Sequence, residues 1–345
     1  VIPTAARIGR TTGRIRRKID RVAAYSSRRM RRAHEAHGLV LMYHRVARVD
    51  ADPWELCVRP EHFESQIRLL REHADVVPLL ELRGQLRKGR RSRPAVAITF
   101  DDGYVDNLKV ARPVLERFKA PATVFIATGQ VGRRADFWWD RLTKLVLPER
   151  ALPPDLELAI GEERFHHHDG QLAATGDRAR RARRRLHDRI WAWCSNRPDS
   201  GRDAILAGVA QWAGVDPAPD PASWAMTPDE LHALMDGGLV DVGAHSVTHP
   251  LLSRLGAAEK ANEIRQSRAD CERLTGRTPA AFAFPNGDLD AESHTLVRDA
   301  GFELACTSQP DLVWDAGDAL ATPRIHVSDE SGPAFLRRLR WYWLA

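Results

Sequence analysis

Six short apolar runs recur along the chain, at residues 39–43, 96–100, 123–127, 239–242, 281–284 and 304–307. Runs of this length without polar alternation are the pattern of strands buried on both faces. Several are separated by helical patterns. Residues 61–73 place Phe63, Ile67 and Leu70 on one face, and residues 257–274 place Ala261, Ile264, Cys271 and Leu274 on one side with Gly276 as the stop. Strands alternating with helices predict an α/β domain with a largely parallel sheet, open or closed into a barrel. Polar residues at the C-terminal ends of the strands then become the candidates for chemistry.

The 345 residues suffice for one large core or two modest ones. Between residues 133 and 225 the character changes, with Trp138, Trp139, Trp191, Trp193, Trp212 and Trp224 beside the arginine-rich run 178–189. This stretch reads as a helical insertion, a lid or specificity subdomain. The expected organisation is a basic arm over 1–37, a first part of the main domain over 38–132, the insertion over 133–225, and a second part with a C-terminal helix over 226–345. The consecutive His166, His167 and His168 are expected on a surface loop, since neighbours on an exposed turn do not converge easily on one ion.

Net charge is +6, but residues 1–48 carry 13 Lys and Arg against Asp20 and Glu35 alone, leaving a mildly acidic body. Such an arm suits an anionic membrane surface or a solvated leader. No nucleic-acid recognition motif accompanies it, and no nucleic-acid partner is expected. No apolar run approaches the roughly 18–20 residues of a membrane span. Arginines interrupt the N-terminal region throughout, so no secretory leader is visible, and the expected location is cytoplasmic, with peripheral membrane contact through the arm. Cys57, Cys194, Cys271 and Cys306 are far apart and contain no CxxC pair, which predicts buried, reduced thiols.

Two strand ends carry the chemistry. Thr99-Phe100-Asp101-Asp102-Gly103-Tyr104 follows one apolar run and places two carboxylates where Gly103 lets the chain turn sharply. Adjacent carboxylates repel unless a cation compensates, an arrangement that suits a metal ligand beside a general base, or a turn or helix cap. Gly243-Ala244-His245-Ser246-Val247-Thr248-His249 follows another run. The four-residue spacing predicts both imidazoles on one side of a helical turn, where with Asp102 they would form a two-histidine, one-carboxylate set with open positions for hydrolysis.

TFDDGY, HSVTHPLLSRL and FAFPNGDLD, in that order, resemble the polysaccharide deacetylase, or NodB-homology, family of carbohydrate esterases. The resemblance spans about residues 38–110 and 225–330, and the block Val40-Leu41-Met42-Tyr43-His44-Arg45-Val46 is similar to its exopolysaccharide and surface-glycan branch. It implies a distorted (β/α) barrel of about seven parallel strands. It further implies hydrolysis of an N-acyl group, most often acetyl, from an amino sugar or glycan substrate. Asp102, His245 and His249 would hold one divalent metal ion, usually zinc, with cobalt, nickel or iron able to use the same set.

By the same resemblance Asp101 is the general base and His326 the general acid. The backbone N–H of Asn286, after Pro285, would stabilise the oxyanion, and Tyr104 would stand near the substrate. Where the family often has an arginine orienting the base, this chain has Ala283. Either Arg324 supplies that cation from another strand or Asp101 is tuned differently. His44, at the end of the first strand, is a candidate for lining the site, and Asp288, Asp290 and Asp140 are weaker candidates for substrate contact. The same residues also suit a deformylase of a lipid-linked formamido sugar, and Ala283, with a His326 whose surroundings depart from the commonest family form, leaves a carbohydrate-binding relative without turnover as a further reading.

Overall fold

The computed structural model describes residues 36–89, 92–195, 197–215 and 218–344. The basic arm up to residue 35 lies outside the described residues. Strand His37–Tyr43 pairs in parallel with Ala95–Phe100, and the sheet continues through Ala122–Ile126, Val240–Ala244, Ala281–Ala283 and Leu304–Cys306. Ile325–His326 adds in parallel to the free edge of His37–Tyr43.

The two ends of the sheet then meet. Thr322 N donates to Ala305 O at 2.8 Å, Thr307 N to Thr322 O at 2.9 Å, and Arg324 N to Gln309 O at 3.1 Å. This closes a distorted barrel whose seven staves are parallel, the arrangement expected from the alternating strands and helices. Closure through residues 322–326 also carries Arg324 into the barrel, 223 positions from the aspartate it will meet.

Within His37–Tyr43 the side chains alternate. Leu39, Leu41 and Tyr43 join the core under the helices, whereas Val40 joins Ala95, Ala97, Phe125, Ala281 and Ala283 inside the barrel. Both faces are apolar, which is why these strands read as unbroken hydrophobic runs. The interior residues are small where strands crowd. A Cβ on Gly243 would lie 2.5 Å from the Phe125 ring, so this strand can approach its neighbour only without a side chain. The helix Pro60–His73 buries Phe63, Ile67 and Leu70, and Ala257–Thr275 ends at Gly276 in the left-handed conformation that favours glycine.

Residues 133–225, expected as a helical insertion, are mixed and not wholly helical. Asp155–Ile160 and Glu163–His168 form an antiparallel hairpin that packs with the helices Trp138–Val146, Asp177–Cys194 and Asp199–Ala213. The expected loop at His166, His167 and His168 is therefore a strand. Alternation along it points His167 inward, where it meets Arg189, and His168 outward to Asp155, so the tract cannot converge on one ion. Leu142, Leu156, Leu186, Ile190, Ile205 and Val209 give this segment an apolar core of its own. The four cysteines are buried and unpaired. Among the described residues no helix is long and apolar enough to cross a membrane.

Candidate metal centre and active site

Register brings the polar strand ends together. Tyr43 lies opposite Phe100 and Ile126 opposite Ala244, so His44, Asp101 and His245 all leave the same rim of the barrel. Asp101 and Asp102 follow Phe100 with 3% exposure each. Asp102 turns at φ 73° and Gly103 at φ 81°, and a Cβ on Gly103 would press against Ile126 at 2.8 Å. That turn sends the two carboxylates in different directions from one strand end.

Asp102 Oδ1 stands 3.7 Å from His245 Nε2 and 3.5 Å from His249 Nε2. One ligand-type atom from each of the three residues lies within 4.8 Å of the others. His245 Nδ1 donates to Ala283 O at 2.7 Å, which leaves Nε2 with its lone pair toward Asp102. Asp102 Oδ1 is buried and has no hydrogen-bond partner. Acceptors converging without a donor require a cation or an extra proton. Burial, then the neighbouring Asp101 charge, pushes the Asp102 carboxyl well above its ordinary range, and burial pushes both histidines down. The donor set therefore fits a divalent metal.

The ligand loop corrects one expectation. Residues 245–249 form an irregular loop and not a helical turn, with Ser246 and His249 at φ 60° and 56°. Buried Glu263 holds it: Oε2 accepts from Val247 N at 2.8 Å and Thr248 N at 2.9 Å, and Oε1 from the Thr248 hydroxyl at 2.7 Å. From the insertion, Arg202 Nη1 donates to Thr248 O at 3.0 Å. Asn286, at φ 57°, lines the same pocket. Left-handed backbone at non-glycine residues costs of order 1–3 kcal/mol each, and four such residues gather here because surrounding contacts hold them. Glu263→Gln is expected to weaken metal retention about 10- to 100-fold in a chelator competition. Unchanged retention would show that the loop holds itself.

Asp101 faces a different partner. Arg324 Nη1 and Nη2 donate to its two carboxylate oxygens at 2.6 and 2.7 Å, a bidentate pair, and Arg324 Nε donates to Thr307 O at 3.0 Å. Burial raises the Asp101 carboxyl, but Arg324 and then His245 outweigh it and hold the group below the usual carboxylate range. Of the two alternatives, the first is the one present: Arg324, just before the strand Ile325–His326, supplies the cation. Arg324 lies over the Phe125 ring at 5.5 Å.

A pocket of about 410 Å³ opens over these groups, lined among others by His44, Asn286, Gly287, His326 and four tryptophans. His44 Nε2 is 3.9 Å from Asp101, and burial pushes its imidazole down to about 3, so it is neutral at ordinary pH. His326 Nε2 donates to Glu55 O at 2.9 Å, and its ring centre is 6.0 Å from that of His44.

Other candidates lie elsewhere. Tyr104 is fully buried behind the site, where its hydroxyl donates to Asp140 at 2.9 Å and accepts from Trp139 Nε1 at 2.7 Å. It is thus a brace and not a substrate contact, because the turn at Gly103 points it into the insertion core. Pro285 is buried and does not line the pocket. Asp290 caps the helix Ala291–Asp299 and pairs with Lys260, Asp288 accepts from Ser253 N, and burial pushes Asp140 up to about 6 beside Tyr104 and Arg45. Nothing in the local sequence marks Glu263 or Arg202. Both sat on helices whose charged residues look like a solvated face, and only the strand-to-loop geometry singles them out.

The sequence pattern of the family described as Polysaccharide deacetylase matches residues 88–150 and 209–305, including both metal-ligand motifs. Those residues belong to the polysaccharide deacetylase family. The poly-beta-1,6-N-acetyl-D-glucosamine N-deacetylase of Staphylococcus aureus is 31% identical over 148 residues, covering 39% of this chain and 49% of that protein. The chain thus spans about half the length of the curated relatives it matches.

Among solved structures, the Streptococcus pyogenes deacetylase PplD superposes with a TM-score of 0.56 at 17% identity, over 88% of this chain and 98% of that one. IcaB from Ammonifex degensii superposes with a TM-score of 0.56 at 19% identity, over 87% and 95%. Identities this low establish the shared deacetylase fold alone. The family pattern is interrupted across residues 151–208, which hold the hairpin, the whole helix bearing Trp191 and most of the helix Asp199–Ala213.

Proposed function

We propose that this protein is a metal-dependent N-deacetylase that removes acetyl groups from N-acetylglucosamine units of a glycan, with zinc as the resident ion. The observation that carries it is the separation of two jobs between adjacent aspartates. Asp102 converges with two histidines on one point, while Asp101 is kept ionised by Arg324 beside it. The poly-N-acetylglucosamine deacetylase named among the relatives supports the substrate class.

A divalent ion held by Asp102, His245 and His249 would polarise the amide carbonyl and acidify a water beside it. Asp101, ionised and aimed at the pocket floor, takes the proton from the attacking water. Its two oxygens are oriented by the guanidinium, so the base is fixed before substrate arrives. The backbone N–H of Asn286, a residue of the pocket wall, is assigned as the donor to the oxyanion as the carbonyl carbon becomes tetrahedral. His326 lines the pocket with Nε2–H committed to Glu55 O, so Nδ1 must first take up a proton, giving the imidazolium that burial opposes, before it can pass that proton to the departing amine. His44, neutral beside Asp101, adds a polar wall without competing for the proton.

The test is release of acetate, matched mole for mole by new primary amine, from a fully acetylated β-1,6-linked N-acetylglucosamine oligomer incubated with zinc-loaded protein. Equal amounts of both products are expected. Absence of both with one ion bound per chain would overturn the assignment.

A further inference from the structure

One wall of the pocket is a continuous series of aromatic rings that begins at a metal ligand. The His249 ring centre is 4.9 Å from Trp139, Trp139 is 5.5 Å from Trp138, Trp138 is 6.1 Å from Trp191, and Trp191 is 5.3 Å from Trp54. All four tryptophans line the pocket. Their exposure rises along the series: Trp138 and Trp139 are buried at 8% and 6%, Trp191 is partly buried, and Trp54 is 37% exposed at the mouth.

The outer pair is held from both sides. Arg184, from the same helix as Trp191, lies over the Trp54 ring at 4.8 Å and donates through Nη1 to Pro53 O at 2.6 Å. Its guanidinium Nε is paired with Asp188 at 2.8 Å. The loop bearing Trp54 is thereby fastened to the insertion, and the two indoles meet at 51°. Trp54 also lies 6.0 Å from the His187 ring, so what it offers a ligand is the 37% of its surface that stays exposed at the pocket.

We infer that Trp54 and Trp191 form a second sugar subsite, on which the pyranose ring next to the reacting N-acetylglucosamine packs its C–H face. The inference rests on the glycan deacetylase reading and extends it: the substrate is an oligomer engaged by at least two rings, and not a free monosaccharide. Trp54 and Trp191 both fall outside the residues that match the family pattern, so this subsite belongs to the chain's own insertion and its facing loop. Indole faces suit the flat apolar side of a pyranose, and the polar edge of the same ring remains free for solvent at the open mouth.

Binding tests this independently of turnover. The zinc-loaded full chain is titrated with N-acetylglucosamine and with its β-1,6-linked tetramer by calorimetry, alongside Trp54→Ala, Trp191→Ala and Trp54→Phe. The wild type is expected to prefer the tetramer by about tenfold or more, the order of one well-placed aromatic contact. In either alanine variant the preference should fall toward one, and Trp54→Phe should retain most of it. A merely structural role would weaken both ligands together and leave their ratio intact, which would overturn the subsite. So would a wild type that binds monomer and tetramer equally. If the tetramer preference and its loss are seen without acetate release, the subsite stands and the hydrolytic reading fails.

Discussion

Asp101→Asn is expected to lower kcat for acetate release by about 10²- to 10⁴-fold, with KM little changed and the metal retained. Asparagine keeps the shape of the side chain but cannot accept the proton of the attacking water. Asp102, His245 and His249 do not depend on Asp101 for their convergence, since Ala283 orients His245 and Glu263 holds the loop that carries His249. Turnover and metal content should therefore separate. Steady-state kinetics with elemental analysis of the same preparation reads both. If activity and metal are lost together, Asp101 belongs to the metal set; if activity persists, another group takes the proton.

Arg324→Ala is expected to destabilise the fold by about 3–5 kcal/mol, because it strands a buried carboxylate whose two oxygens were both paired. The sign of its pH dependence follows from the direction of the Asp101 shift. In the wild type the folded-state value lies below the unfolded one, so the pair contributes stability above the ordinary carboxylate range and loses it as pH falls toward the folded value. Without Arg324 the largest opposing charge is gone, and burial raises the carboxyl against His245 and His44 alone. The variant's deficit should be largest near neutrality and shrink on acidification, as Asp101 takes up a proton. Denaturant unfolding at several pH values measures it. Arg324→Lys, with one ammonium in place of a planar fork, should recover part of the stability and less of the activity. A deficit independent of pH would show that Arg324 acts through packing against Phe125 alone.

Much of this site could be read from local sequence, for a physical reason. In a parallel barrel every strand delivers its last residue to the same rim, so Asp101, Asp102 and His245 announce themselves as polar residues directly after apolar runs. Six strands were found within two residues of their ends by the same signal. The bidentate partner of Asp101 needed barrel closure, which depends on backbone bonds between residues 305–309 and 322–324 that no local pattern encodes. Tyr104 shows the opposite failure: its place beside the motif suggested substrate, but the left-handed turn at Asp102 and Gly103 directs it away. The loop between the two histidines looked helical by spacing, yet the carboxylate that shapes it lies on a distant helix, 15 residues beyond Thr248. In the insertion, His166–His168 satisfies strand alternation only once its hairpin partner Asp155–Ile160 is known.

The most direct test of the central assignment is metal stoichiometry by elemental mass spectrometry on the purified chain, beside Asp102→Ala and His245→Ala. One divalent ion per chain in the wild type, lost in both variants while their folds persist by circular dichroism, is the expected result. A wild type that stays empty after incubation with zinc, cobalt and nickel, or variants that keep the ion, would contradict the convergence of Asp102, His245 and His249 on a metal, and with it the hydrolytic mechanism.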